Sequence, residues 1–294
     1  LRAGVFAPDR EVQIYRNETL RLAGREFEPA GDWKATVLLL HGHTPKGSNL
    51  AFYRVLARRL ADRGYFVLTI DFAGFGLSDS PFSIPYEEGS SGDYDVRAWL
   101  DHLTSDSRLS SHPLFVVAHS AGASSGLPIG LGEDLVRGIA AIGPSRDVIE
   151  DLSDPEQADY WWSRNQATHR LLYGKEFPDW YSKERWLSEA LGEGSGVGLK
   201  RPMEVFLPQL QDPEHHPVLL IDGERELEED KLYLQAYYEA MAEPKGYHTL
   251  SGSDHYSNVA HVGRWAFYDR EVVDETVTVL VDWMTRILQE SPSS

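Results

Sequence analysis

The chain of 294 residues contains no cysteine. That excludes a disulfide framework, a thiolate nucleophile and any cysteine-ligated metal centre, and it leaves the redox compartment open. No apolar run approaches the ~20 residues that a membrane-spanning helix needs, and the opening Leu1-Arg2-Ala3-Gly4 lacks the apolar core of a signal peptide. Because the first residue is Leu rather than Met, a leader removed upstream stays open, and with it the choice between a cytoplasmic and a secreted protein. Cationic charge is scarce: 28 Lys and Arg face 46 Asp and Glu, a net charge of −18. The acidic residues are spread along the chain rather than gathered in a tail, which argues against nucleic acid or an anionic membrane as partner and for a solvated surface. Neither an internal repeat nor a low-complexity tract is visible, and the closing Ser-Pro-Ser-Ser reads as a frayed tail. Signals for bound groups are also missing. His41 and His43 are two apart with no carboxylate at metalloprotease spacing, the glycine-rich stretch Gly192 to Gly198 follows no strand, and no nicotinamide fingerprint occurs. No cofactor or metal is expected.

What is present is an alternation of apolar strands and amphipathic helices. Glu11 to Tyr15 and Thr19 to Phe27 alternate polar and apolar residues around a turn at Arg16-Asn17-Glu18, which predicts an antiparallel hairpin at a sheet edge. Continuous apolar runs at Thr36 to Leu40, Phe66 to Ile70, Leu114 to Val117, Val136 to Ile142 and Pro217 to Ile221 predict strands covered on both faces, as a parallel sheet requires. Helical spacing predicts helices over Leu50 to Arg63, Gly92 to Leu103 with Tyr94, Trp99 and Leu103 on or near one side, Glu229 to Met241 and Asp269 to Leu288. Tyr247 to Leu250 is a further short strand. Residues 1–144 and 213–294 thus read as one α/β domain. Residues 145–212 break the pattern. They are rich in Tyr and Trp and predict helices at about Asp159 to Tyr173 and Trp180 to Leu191. Most of these rings are expected to hold a small helical unit together, with a minority facing a ligand.

One short stretch carries reactive chemistry. Ala118-His119-Ser120-Ala121-Gly122 follows the strand at Leu114 to Val117 and precedes small residues that start a helix. A serine in so sharp a strand-to-helix turn needs small neighbours two before and two after it, because a branched side chain would collide with the adjoining strand or helix. Gly122 meets that demand fully. Ala118 departs from the glycine usual at its position.

Two more strand ends complete a pattern: Val37 to Leu40 runs into His41-Gly42-His43, and Phe66 to Ile70 runs into Asp71-Phe72-Ala73-Gly74-Phe75-Gly76-Leu77-Ser78. With the serine turn, in this order, they closely resemble the α/β-hydrolase family, and the resemblance covers the chain from about Ala35 to its end apart from the aromatic insert. It implies the α/β-hydrolase fold, a mostly parallel central sheet flanked by helices, with residues 145–212 as a helical cap after the sixth strand.

The same resemblance implies a serine hydrolase acting through a Ser-His-acid triad and an acyl-enzyme, with a carboxylic ester as the expected substrate. Serine at the turn argues against the dehalogenase and epoxide hydrolase relatives, which place aspartate there. Amide, thioester, lactone and acyl-transfer chemistry reuse the same triad and stay open, as does a non-hydrolytic, ligand-binding member of the fold. In family order the base is His255, in the loop after the last strand, ahead of His261, which would be entering a helix, and of His248, His215 and His216. Matching Gly223 puts Glu226 at the acid position, with Asp222, Glu224 and Asp147 as rivals. The oxyanion donors implied are the backbone amides of Ala121 and His43. His41 and His119 read as structural, and Asp71, Gly74 and Gly76 either shape a loop near the site or are bystanders. The aromatic insert points to an apolar or aromatic small molecule as substrate. Oligomeric state is not legible.

Overall fold

The computed structural model describes residues 6–16, 18–44, 46–79, 92–144, 154–173, 176–177, 179, 181–190, 207–262 and 265–290. Eight strands form one sheet in the order β1-β2-β4-β3-β5-β6-β7-β8: β1 (Arg10–Arg16), β2 (Leu20–Phe27), β3 (Ala35–Leu40), β4 (Tyr65–Ile70), β5 (Leu114–His119), β6 (Val136–Ile142), β7 (Val218–Gly223) and β8 (Lys245–Leu250). The β1–β2 and β2–β4 pairings are antiparallel, and every pairing from β4 across to β8 is parallel. Strands β3, β4, β5 and β7 are buried at every position, which is why their sequences are dominated by apolar residues. By contrast β1, at the edge, is exposed at Arg10, Glu11, Gln13 and Tyr15.

Helices α1 (Ala51–Ala61), α2 (Gly92–Ser105), α3 (Ala123–Gly132), α7 (Glu228–Ala240) and α8 (Arg270–Glu290) cover the two faces, and α4 (Pro155–Tyr173), α5 (Lys183–Ala190) and α6 (Leu207–Leu210) lie between β6 and β7 in the chain. Side chains that alternate along each strand feed two separate cores. On one face Leu38, Leu68, Val116 and Leu220 meet Trp99 and Leu103 of α2, Leu127 of α3 and Leu234 of α7. On the other, Val37, Leu39, Val67 and Val117 meet Tyr53, Leu56 and Leu60 of α1 and Val277, Leu280 and Met284 of α8. Each such aliphatic or aromatic side chain, taken fully out of water, contributes about 1.5–3 kcal/mol. Among the described residues no helix is long and apolar enough to cross a membrane.

Three expectations need correcting. A second, two-stranded sheet of β9 (Val259–Val262) and β10 (Trp265–Tyr268) follows β8, so His261 stands in a strand and not at a helix start. In α2, Tyr94 is exposed because it lies five residues before Trp99, roughly 140° around the helix from it; Val96, Trp99, Leu100 and Leu103 form the buried side. The sequence predicts two helices between β6 and β7, and among the described residues a short third, α6, follows them. Asp147, the stretch from Gly192 to Gly198 and the closing Ser-Pro-Ser-Ser lie outside the described residues.

Candidate active site

Strand β5 ends at His119, and the next residue, Ser120, has φ 53°, a left-handed conformation that costs a non-glycine residue about 1 kcal/mol or more. A single turn of 3₁₀ helix, Ser120–Gly122, then leads into α3. Neighbouring strand ends crowd this turn. A Cβ at Gly122 would come 2.5 Å from the carbonyl oxygen of His41, and one at Gly42 would come 2.7 Å from the Ser120 Cβ. The departure at Ala118 is accommodated from the other side, since a Cβ at Gly126 of α3 would come 2.9 Å from the Ala118 methyl. Glycine has in effect moved from the strand to the helix that packs on it.

The loops after β7 and β8 supply an imidazole and a carboxylate. His255 Nδ1 and Glu226 Oε1 are 2.7 Å apart. Because a carboxylate accepts, the neutral ring carries its proton on Nδ1 and leaves Nε2 as the basic nitrogen. Glu226 is held by its amide on the Gly223 carbonyl at 3.0 Å and by the neighbouring Arg225 amide on the Ser253 carbonyl at 2.8 Å. The His255 loop is pinned in turn by the Asp254 carboxylate, which accepts from the amides of Tyr256 at 2.9 Å and Asn258 at 2.7 Å. At the end of β6, Gly143, with φ 50°, backs the pair so closely that a Cβ there would come 3.0 Å from His255 Nδ1 and 3.2 Å from Glu226 Oε1.

The rival residues have other partners. Asp222, buried on β7, accepts the Tyr247 hydroxyl at 2.6 Å. The Glu224 carboxylate accepts the Gly252 amide at 2.6 Å. His248 bonds Glu275 at 2.9 Å, and His215 bonds the carbonyls of His216 and Ala242. His43 is exposed at the end of β3, its ring edge-on to Phe75 with centroids 5.3 Å apart. His41 and His119 are buried, and burial lowers both imidazole pKa values, that of His119 well below 6.5 with the nearby His255 as a second cause. Neither is a base. The His119 ring nonetheless lies 4.7 Å from that of His255, centroid to centroid. Tyr53, buried in α1, bonds both Gly42 and His119. Sequence reasoning missed it, because a tyrosine at a core position of an amphipathic helix carries no signal beyond packing. Among the described residues no group of three or more His, Asp or Glu is placed to hold a metal ion.

A family profile described as "Alpha/beta hydrolase family" matches residues 37–269. No curated protein sequence matches the chain. Among solved structures, the chain is similar to the esterase domain of a Rhodothermus marinus protein, with 19% identity, a TM-score of 0.62, and coverage of 94% of this chain and 98% of that chain. It is similar to Est1E from Butyrivibrio proteoclasticus with ferulic acid bound, with 15% identity, a TM-score of 0.64, and coverage of 95% and 100%. Dienelactone hydrolase from Anabaena variabilis matches at 15% identity and a TM-score of 0.57, over 94% of this chain and 96% of that chain. At identities this low the likeness is one of fold.

Proposed function

Since the chain belongs to the alpha/beta hydrolase family, we propose that it cleaves a carboxylic ester with Ser120 as nucleophile, His255 as base and Glu226 as the acid that orients the base. One observation carries the reading: a serine at φ 53° stands at the carboxyl edge of the sheet that also presents an imidazole with its Nδ1 2.7 Å from a carboxylate. Glu226 keeps the proton on Nδ1, so Nε2 accepts the Ser120 proton as Oγ attacks the ester carbon. Charge that builds on the carbonyl oxygen meets the amides of His43 and Ala121, each worth about 3 kcal/mol. The imidazolium then gives its proton to the departing alkoxide. A water deprotonated by the same Nε2 releases the acid and restores Ser120.

Residues 145–212 form a cap over this site in the same reading. Trp162, Phe177 and Tyr181 of the insert pack on one another, with Trp162 and Phe177 stacked at 5.3 Å and Phe177 and Tyr181 at 4.9 Å. These rings serve chiefly to hold the insert together, leaving an apolar wall for the substrate. Ferulic acid bound to Est1E makes esters of aromatic acids the first to try, beside short p-nitrophenyl esters.

The test is labelling with a fluorophosphonate. Ser120 is expected to be modified in the wild type and labelling to vanish in Ser120→Ala together with ester turnover. Equal labelling of the two proteins, or none in the wild type under turnover conditions, would count against the assignment.

A further inference from the structure

We infer that Tyr53 and His119 are positioning residues that lock the oxyanion-hole peptide to the loop carrying His255, an inference that rests on the esterase reading above. The hydrogen-bond directions follow from which groups can only donate or only accept. The Gly42 amide can only donate, and it lies 2.7 Å from the Tyr53 hydroxyl oxygen. The hydroxyl proton is therefore free to go to His119 Nδ1, 2.8 Å away. With Nδ1 accepting, the ring proton sits on Nε2, which donates to the carbonyl oxygen of His255 at 2.7 Å. One arrangement of protons satisfies all three bonds. Tyr53 and His119 are completely buried, and burial raises the tyrosine pKa well above 10 while it lowers that of the histidine, so both stay neutral.

Gly42 is also held from its other side. The Phe72 amide donates to His41 Nε2 at 3.1 Å, which leaves the proton of that ring on Nδ1, and Nδ1 donates to the Gly42 carbonyl at 2.6 Å. Two buried, neutral histidines of opposite tautomer thus anchor both polar groups of one glycine, His41 directly and His119 through Tyr53. In a trans peptide the Gly42 carbonyl and the His43 amide point opposite ways. Fixing the carbonyl therefore aims the His43 amide, the donor assigned to the oxyanion. The far end of the relay is the main chain of His255, so oxyanion donor and base share one hydrogen-bonded frame, and small displacements of either are costly to the transition state.

Three variants take the relay apart, each assayed on a p-nitrophenyl ester with rates normalised to the serine titrated by fluorophosphonate. Tyr53→Phe removes the central hydroxyl. His119→Gln keeps a donor towards His255 and loses the acceptor, and His119→Asn does the reverse. Tyr53→Phe is expected to lower kcat about 10- to 100-fold with KM within about threefold. The inhibition constant of an aryl boronic acid, which mimics the tetrahedral adduct, rises by the same factor. Y53F combined with H119Q is no worse than the weaker single variant, because both cut one link. A role in packing alone would lower the titratable fraction or the melting temperature and leave the normalised kcat and the boronate affinity where they were. Normalised kcat and boronate affinity within about twofold of wild type in Tyr53→Phe, or in both His119 variants should that chain not fold, overturn the inference. A wild type whose Ser120 takes no label overturns the esterase reading and this inference with it, whereas labelled Ser120 with indifferent relay variants overturns this inference alone.

Discussion

Asp222 near the end of β7 and Glu224 and Glu226 just past it are spaced two apart, yet each carboxylate faces a different donor: a tyrosine hydroxyl, a backbone amide and an imidazole. That division predicts how substitutions separate. Glu226→Gln replaces an acceptor-only carboxylate with an amide that can also donate, so the His255 tautomer is no longer fixed, and kcat is expected to fall about 10²- to 10⁴-fold with KM little changed. Glu224→Gln, which spares the imidazole, should keep kcat within about threefold of wild type. Asp222→Asn acts on stability first: with its oxygen still accepting from Tyr247, its NH2 takes the place of the buried Oδ1, which has no hydrogen-bond partner among the described residues, and an unpaired donor there costs about 1–3 kcal/mol. Steady-state hydrolysis and urea titration of the three variants check this, and a Glu226→Gln enzyme with full turnover would remove Glu226 from the assignment. Ser120 and His255 are legible as candidates because strand ends and chain order mark them. The candidate acid is harder to read, since three carboxylates spaced two apart differ only in how the end of β7 and the loop after it rotate them. Tyr53 was not legible at all: its hydroxyl matters only because β3 and β5 are neighbours in the sheet, and that adjacency is a property of topology.

At the scale of elements, Asp71 joins three pieces of chain. Standing just past β4, its carboxylate accepts from the Ser48 amide and hydroxyl at 2.7 Å each, from Arg25 of β2 at 3.0 Å and from the Leu77 amide at 2.9 Å. Gly47 and Gly76, both at positive φ, close around it, and a Cβ at either would run into the carboxylate. The loop after β3, which carries His43, and the glycine-containing loop after β4 are thus clamped to a single buried ion pair. This decides the sequence reading of Asp71 in favour of a loop-shaping residue over a bystander. Asp71→Ala would leave Arg25, 3% exposed, without its counter-charge, and a loss of about 3–5 kcal/mol is expected in urea or thermal unfolding. A loss below about 1 kcal/mol would show that the clamp is not stabilising. Elements with long periodic patterns, the parallel strands and α8 above all, were readable within two or three residues. The β9–β10 hairpin was not. Two strands of four residues are too short to display an alternation, and they pair with each other outside the main sheet.

For the molecule as a whole, two buried histidines and one buried aspartate give stability a pH dependence whose sign can be worked out. Burial lowers the pKa of His41 despite nearby Asp71, with Arg25 acting in the same direction as burial, and it lowers that of His119 beside His255 and His41 itself. Both rings take a proton more readily in the unfolded chain, so they contribute stability above about pH 6.5 that is lost as the pH falls below it. Asp95 works the other way. Although it is bonded to Arg16 at 2.7 Å and to the Ala73 amide at 2.7 Å, burial pushes its carboxyl up from 3.8 to about 6. The native state therefore holds a proton that the unfolded chain has released, and this group favours folding on acidification through that window. Protonation of carboxylates also relieves a net charge of −18, so the informative quantity is a difference between proteins rather than one curve. Unfolding free energy measured in urea between pH 7.5 and 4.5 is expected to fall for the wild type, to fall less steeply in His119→Gln, and to fall more steeply below about pH 6 in Asp95→Asn, whatever each substitution costs at neutral pH. Parallel curves for wild type and His119→Gln would mean that the buried imidazole does not stay neutral in the native protein, and the hydrogen-bond directions assigned through Tyr53 would lose their footing.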